Sequence, residues 1–307
     1  MPIIRLPETA VAAFQVACFP SHPFHRSEAA MPLPAPFPRV LSIAGSDPGG
    51  GAGIQADLKT FGALGAYGTA AVTALTVQNT QGVHRVHPLP AELVAAQAEA
   101  VLADIRIDAV KIGMLPDADC IRAVAEVLRR HPVSFVVLDP VLHATSGMPL
   151  STGAASAVLL AELLPLADLI TPNLSELARL SGQPQAADED EMLAQGRLLL
   201  AQGARAVLLK GGHWENSSQA RDWLLTADGQ THPFSSPRID TPHTHGTGCT
   251  LSSAIAALRP QHDSLPAAVA EAKRYLQGAL ETGSRWQLGH GRGPLAHFWR
   301  QPHGQEH

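Results

Sequence analysis

The sequence predicts a three-layer α/β fold, a mainly parallel central sheet sandwiched between helices, and three observations carry that prediction. Short apolar runs alternate with segments of helical spacing along most of the chain, the pattern of repeated βαβ units. Two of the runs, residues 135–138 and 206–209, are continuously apolar, as a parallel strand covered on both faces must be. Six runs end in Gly, Pro or polar residues, at the carboxyl edge where sheets of this kind bind ligands.

Each element follows from its residues. The first strand is read over residues 39–44 and stops at Gly45. Ile54, Leu58, Phe61 and Leu64 recur at helical spacing and make 52–64 the first helix. β-Branched and apolar residues make 69–77 a strand, and 90–105 is a helix with Pro90 near its first turn, where the fixed φ of proline is tolerated. A strand at 109–112 and a helix at 117–130 follow, with Asp117 or Asp119 available as its cap. The strand 135–138 runs into Asp139-Pro140. A helix at 154–164, a short strand at 169–171 and helices at 173–180 and 189–202 lead to the strand 206–209, which stops at Lys210-Gly-Gly. The rhythm then changes: 223–226 and 231–234, with Asp228-Gly229 between them, read as a hairpin. Helices at 248–258 and 265–281 complete the reading, with no internal repeat.

Composition narrows the function. The chain has 307 residues, enough for one large α/β domain, and its 45% hydrophobic and 16% charged content supports a buried core. A net charge of −5 argues against the basic footprint of a nucleic-acid binder. No apolar run approaches the roughly 20 residues needed to span a bilayer, so no membrane partner is expected. Cys18, Cys120 and Cys249 are few and far apart, which fits a reducing compartment and a cytoplasmic enzyme. Near the N-terminus a single Arg5, then Glu8, Gln15 and Pro20 interrupt what a signal peptide would need. Residues 1–37, with the Pro-rich stretch 32–38 at their end, are expected to be a poorly ordered extension, and 38–307 a single domain.

Several segments carry chemistry. Gly45-Ser-Asp-Pro-Gly-Gly-Gly-Ala-Gly53 places five glycines between the first strand and the first helix, suited to close backbone approach. It is not a Walker A loop, and the acidic residue a dinucleotide fingerprint needs is missing between Asp57 and Glu92. Thr244-His-Gly-Thr-Gly-Cys249 opens a helix whose first N–H groups suit a phosphate, and whose field would lower the Cys249 pKa; Cys249 reads equally as a small buried residue. A zinc site of His243, His245 and Cys249 lacks ligand spacing. Asn173 and Glu176 could share a hydrated cation or form a capping box. Asp139, a carboxylate at the end of an apolar strand, suits Mg2+. The Gln78 amide could read an aminopyrimidine or merely face solvent in a turn.

Together these segments resemble one family. The glycine segment with Ile54-Gln-Ala-Asp-Leu-Lys-Thr60, Gln78-Asn-Thr, Val110-Lys-Ile-Gly-Met-Leu115, Leu138-Asp-Pro-Val141, Ile170-Thr-Pro-Asn-Leu-Ser-Glu176, Leu209-Lys-Gly-Gly-His213 and Thr244-His-Gly-Thr-Gly-Cys-Thr250 stand in the order found in hydroxymethylpyrimidine/phosphomethylpyrimidine kinases. The resemblance implies a ribokinase-like fold, ATP as co-substrate with Mg2+, and two successive phosphorylations of an aminopyrimidine in thiamine biosynthesis. By position it implies a substrate pocket of Gly45, Ala52, Asp57, Gln78, Met114 and Val141, with Asp139 and Glu176 near the metal. It also implies Lys210 on the ATP phosphates and an anion hole of Gly246, Thr247 and Gly248, with Cys249 as catalytic base. A pyridoxal kinase of the same fold is the alternative, and a homodimer is left open. Thr145 stands where many relatives have Lys, and Met148 where an acidic residue is frequent.

Overall fold

The computed structural model describes residues 36–141, 153–212 and 218–301. The chain divides into two units, Met1–Pro36 and Phe37–His307, and every element below belongs to the second. Thr145, Met148 and His213 lie outside the described residues, as do residues 1–35.

The described strands are β1 (Arg39–Ser46), β2 (Tyr67–Asn79), β3 (Gly82–Pro88), β4 (Ala109–Ile112), β5 (Val136–Leu138), β6 (Leu169–Ile170), β7 (Ala206–Lys210), β8 (Gln219–Thr226) and β9 (Thr231–Pro237). They form one sheet in the order β3-β2-β1-β4-β5-β6-β7-β8-β9. The strands from β2 through β7 are parallel, while β3 at one edge and β8 and β9 at the other are antiparallel. The chain leaves β1 toward β2 and returns to β4 on its other side, so the order reverses at β1 and the crevice there opens at the carboxyl ends.

Neighbouring residues along the inner strands point to opposite faces, and each face has its own core. Val40, Val137 and Leu208 pack with Phe61 of α1 (Gly53–Ala63), Ile255 of α7 (Thr247–Leu258) and Tyr275 of α8 (Leu265–Gly283). Leu41, Leu138 and Leu209 pack with α2 (Ala91–Asp104), α3 (Ala118–Arg130), α4 (Gly153–Glu162), α5 (Leu174–Ser181) and α6 (Glu189–Ala201) through residues such as Val94, Val124, Leu159, Leu177 and Leu199. This is the three-layer arrangement expected. Asp117, not Asp119, caps α3 by accepting the Cys120 N–H at 2.8 Å, and Asn173 with Glu176 closes a capping box on α5.

Two readings change. The sequence shows no strand between residues 77 and 90, yet β3 is there. It is an edge strand with no buried position, and His84, Arg85 and His87 give it no apolar face to read. Strand β2 also runs two residues further than expected, so Gln78 is the penultimate strand residue and pairs with Val83 instead of sitting in a turn.

Candidate active site

The glycine-rich loop between β1 and α1 is folded around one carboxylate. Asp47 is 3% exposed. Its Oδ1 accepts the Gly49 N–H at 2.8 Å, and its Oδ2 accepts those of Gly51 at 3.0 Å and Ala52 at 2.8 Å. Burial would raise the Asp47 pKa, but the His245 contact and these N–H donors outweigh it and hold the group below the ordinary carboxylate range. The loop entering α7 meets this one backbone to backbone. Gly246, at φ +82°, caps α7, and a Cβ there would lie 1.8 Å from the Gly51 carbonyl oxygen. A Cβ on Gly53, at φ +55°, would lie 2.3 Å from the Gly45 carbonyl oxygen. The two glycine motifs of the sequence are therefore two halves of one contact that no side chain could enter.

Beneath that contact lies a buried charge network. Asp139, 1% exposed, accepts from Lys210 Nζ and Thr171 Oγ1 at 3.0 Å and from Ser252 Oγ of α7 at 3.1 Å. Burial alone would raise its pKa; Lys210 and Lys111 reverse the sign and lower it. Glu176 approaches Lys210 Nζ at 3.8 Å and accepts the Asn173 N–H at 2.8 Å. Burial, with Asp139 nearby, pushes Glu176 up to about 7 against the pull of Lys210. Burial would lower the Lys210 pKa, yet Asp139 and Glu176 together raise it to about 12.

Asp57 corrects the sequence reading. It lies beneath the pocket wall, fully buried, and faces Lys111 instead of the cavity. Lys111 Nζ sits 3.0 and 2.9 Å from its two oxygens, and Ser42 and Ser253 donate to it at 2.6 and 2.7 Å. Cys249 is corrected in a second respect. Burial pushes its thiol up to about 11; Lys111 and the Gly53 N–H pull it down, while Asp57 and Asp139 add to the rise. The helix-start field expected to yield a thiolate is outweighed by desolvation in the ligand-free chain.

A cavity of about 810 Å³ spans this region. Gly45, Ala52, Gln78, Met114 and Val141 line it together with Asp139, Glu176, Lys210, Gly246, Thr247, Gly248 and Cys249. Asn173 and Glu176 form the capping box, and both also line the cavity. His243 takes the Gly293 N–H on Nδ1 at 2.8 Å and His245 turns to Asp47, so the two do not converge with Cys249 on a metal.

Sequence reasoning missed Asp47, Lys111, Ser252, Ser253 and, also lining the cavity, Asp222 with Lys273. Asp222 of β8 accepts from Lys273 Nζ at 2.6 Å and from the Gly211 N–H at 3.0 Å, and so fixes the turn that follows Lys210. The available signal was a single charge inside an otherwise apolar strand: Lys111 in Ala-Val-Lys-Ile.

The family model described as phosphomethylpyrimidine kinase matches residues 47–296. This chain belongs to that family. Among phosphomethylpyrimidine kinase relatives, the hydroxymethylpyrimidine/phosphomethylpyrimidine kinase of Salmonella typhimurium is 55% identical over 259 residues, covering 84% of this chain and 97% of that one. The thiamine biosynthesis bifunctional protein ThiED of Geobacter sulfurreducens is 46% identical over 298 residues, covering 96% of this chain and 58% of that protein. In structure, the pyridoxal kinase from Staphylococcus aureus in complex with ADP superposes with a TM-score of 0.80 at 31% identity, covering 87% of this chain and 96% of that one. The range matched by the phosphomethylpyrimidine kinase family holds every site residue discussed above except Ser42 and Gly45.

Proposed function

We infer that this chain is a hydroxymethylpyrimidine and phosphomethylpyrimidine kinase of thiamine biosynthesis. It transfers a phosphoryl group from ATP to the hydroxymethyl oxygen of 4-amino-5-hydroxymethyl-2-methylpyrimidine and then to the monophosphate so formed. The observation that supports this most directly is the convergence at one cavity of the α7 start, the Lys210–Asp139 pair at 3.0 Å and a pocket wall of Gln78, Met114 and Val141. A helix start presents N–H groups that have no acceptor within the helix, and Gly248 and Cys249 belong to that first turn. Lys210 adds a fixed positive charge beside them, and Gly248 leaves room for it: a Cβ there would come 3.3 Å from Lys210 Nζ.

The donor set fits Mg2+. Asp139 and Glu176 are buried carboxylates that converge on Lys210, and burial, with Asp139 nearby, pushes Glu176 up to about 7. Among the described residues no three His, Cys, Asp or Glu side chains form a cage, and Mg2+ is usually held by one or two carboxylates with substrate phosphates completing the shell. The ion would supply positive charge against the charge that develops on the transferred phosphoryl group. Asp139 and Glu176 would hold it, Lys210 and the α7 start would bind the transferred group, and Cys249 would take the alcohol proton in the first step.

We place the working kinase domain from Phe37 onward and the enzyme in the cytoplasm, the latter on its cysteine usage. Among the described residues no helix is long and apolar enough to cross a membrane. The test is purified protein with ATP–Mg2+ and either the pyrimidine or pyridoxal, with products read by mass. Two successive phosphoryl additions to the pyrimidine are expected; phosphorylation of pyridoxal alone would reverse the assignment.

A further inference from the structure

His245 Nε2 sits between two partners. It lies 2.9 Å from Asp47 Oδ2 and 2.9 Å from the end of the Gln78 carboxamide drawn as Nε2. One ring nitrogen carries one proton or one lone pair, not both. Asp47 settles which. Its carboxylate already takes three backbone N–H groups and can only accept, so the proton must stand on His245 Nε2 and point at Oδ2. This holds whether the ring is the neutral Nε2–H tautomer or the imidazolium. With the proton there, a Gln78 NH2 group at 2.9 Å would set donor against donor.

The conflict disappears if the amide is turned by half a turn. Gln78 Oε1 then shares the His245 N–H, and Gln78 Nε2 faces Thr76 Oγ1, 3.4 Å from the atom drawn as Oε1. Thr76 can accept it, because its own hydroxyl proton goes to the Ser46 carbonyl at 2.8 Å. Only the second Gln78 N–H then remains unpaired, and it is left for the cavity, which Gln78, Thr76 and His245 all line.

We propose that Asp47, acting through His245, fixes the orientation of the Gln78 carboxamide so that it meets the substrate ring with a hydrogen-bond donor, which makes His245 a specificity-determining positioning residue. The ring atom opposite Gln78 must then be an acceptor such as an unprotonated ring nitrogen. A freely turning amide would meet a C–H or a donor about as well and would discriminate less. The proposal rests on the pyrimidine reading of this pocket.

The first measurement needs no substrate. Long-range ¹H–¹⁵N spectra of the ligand-free protein report which His245 nitrogen carries the proton; Nε2–H is expected, and an unprotonated Nε2 overturns the proposal. The second is kinetic. His245→Phe should raise KM for the pyrimidine about tenfold, the worth of one misdirected hydrogen bond, and leave KM for ATP within about twofold. His245→Gln, which returns an N–H near the Nε2 position, should recover most of the loss. In a Gln78→Leu background His245→Phe should cost nothing more, since there is no amide left to orient. Equal costs in both backgrounds, or a His245→Gln variant as impaired as His245→Phe, would discard the proposal. Should His245→Phe not fold against Gly51, the His245→Gln kinetics and the tautomer decide. A wild-type protein that fails to turn over the pyrimidine at all refutes the substrate reading instead.

Discussion

Replacing Lys111 by Met is the sharpest test of the buried network. Lys111 and Asp57 are both fully buried, with Nζ 2.9 and 3.0 Å from the two carboxylate oxygens. Methionine keeps the length of the side chain and removes its charge. Asp57 then keeps the Ser42 and Ser253 hydroxyls as donors but loses its counter-charge in the interior. Breaking a buried pair in this way costs about 3–5 kcal/mol, because the surviving charge has neither water nor a partner. That is a large part of a total stability of about 5–15 kcal/mol. At about 2–4 °C per kcal/mol the melting temperature should fall by about 6–20 °C. Adding Asp57→Asn removes the stranded charge and keeps an oxygen for the serines, so Lys111→Met/Asp57→Asn should regain more than half of the loss. The assay is thermal unfolding by circular dichroism of both single variants and the double. A double variant no more stable than Lys111→Met, or a loss below about 1 kcal/mol for Lys111→Met alone, would refute the idea that the two charges stabilise one another. Activity should stay low in the refolded double variant, because the Lys111 charge also lowers the Cys249 and Asp139 pKa values.

Four further outcomes follow from the same geometry. Cys249→Ala should slow the first phosphorylation by about 10²–10⁴-fold, the usual worth of a general base, and the second far less, because a phosphate nucleophile is already anionic; equal losses would end the base role. With the thiol at about 11, the wild-type first step should quicken as pH rises from 7 to 9 while the second stays nearly flat above 7. Lys273→Met should raise KM for ATP several-fold and leave the pyrimidine KM alone, since it frees the Asp222 carboxylate that holds the Gly211 turn; the comparison of the two KM values checks it. Residues 1–30 are expected to be dispensable, which the melting temperature and activity of a protein beginning at Met31 would show.

The fold was legible where burial is two-sided. Strands such as 135–138 and 206–209 are apolar on both faces because helices cover both, and their shortness and polar or Gly/Pro ends set them apart from the apolar runs inside helices such as 157–160. Strand β3 was illegible for the converse reason. It lies at the sheet edge with its polar side chains in solvent, so its pairing with β2 is decided by backbone hydrogen bonds that leave no trace in residue type. The site divides in the same way. Gly246 and Gly53 were visible because a positive φ or a backbone contact demands glycine. The family resemblance implies Asp57 in the pocket by its position in the glycine-segment motif, and only the place of Lys111 on a neighbouring strand shows that it turns inward. The Cys249 pKa went astray because a helix start is local and visible, whereas desolvation comes from every element that closes over it.

The charge balance of the site explains why Glu176 behaves unlike Asp139. Lys111 answers Asp57, and Lys210 answers Asp139 at 3.0 Å; Glu176 is left to share Lys210 at 3.8 Å. Burial, with Asp139 nearby and only this distant share of Lys210 to offset them, makes it favour its proton in the folded, ligand-free protein, while in the unfolded chain it ionises at its ordinary value. A carboxyl whose folded pKa lies above its unfolded one binds more protons folded than unfolded between those two values, so stability falls as pH rises through that window. For Glu176 the window runs from 4.5 to about 7. Glu176→Gln keeps an oxygen for the Asn173 N–H, hence the capping box, and removes the charge. The ligand-free variant should be more stable than wild type at pH 8, where the native carboxylate is ionised at a cost, and indistinguishable from it at pH 4.5. Millimolar Mg2+ with a nucleotide should reverse the order at pH 8, because only the carboxylate gains from the added cation. Melting curves at the two pH values, with and without Mg2+ and nucleotide, check both signs. A pH-independent difference would mean that Glu176 is already satisfied by Lys210 and has nothing to gain from a metal.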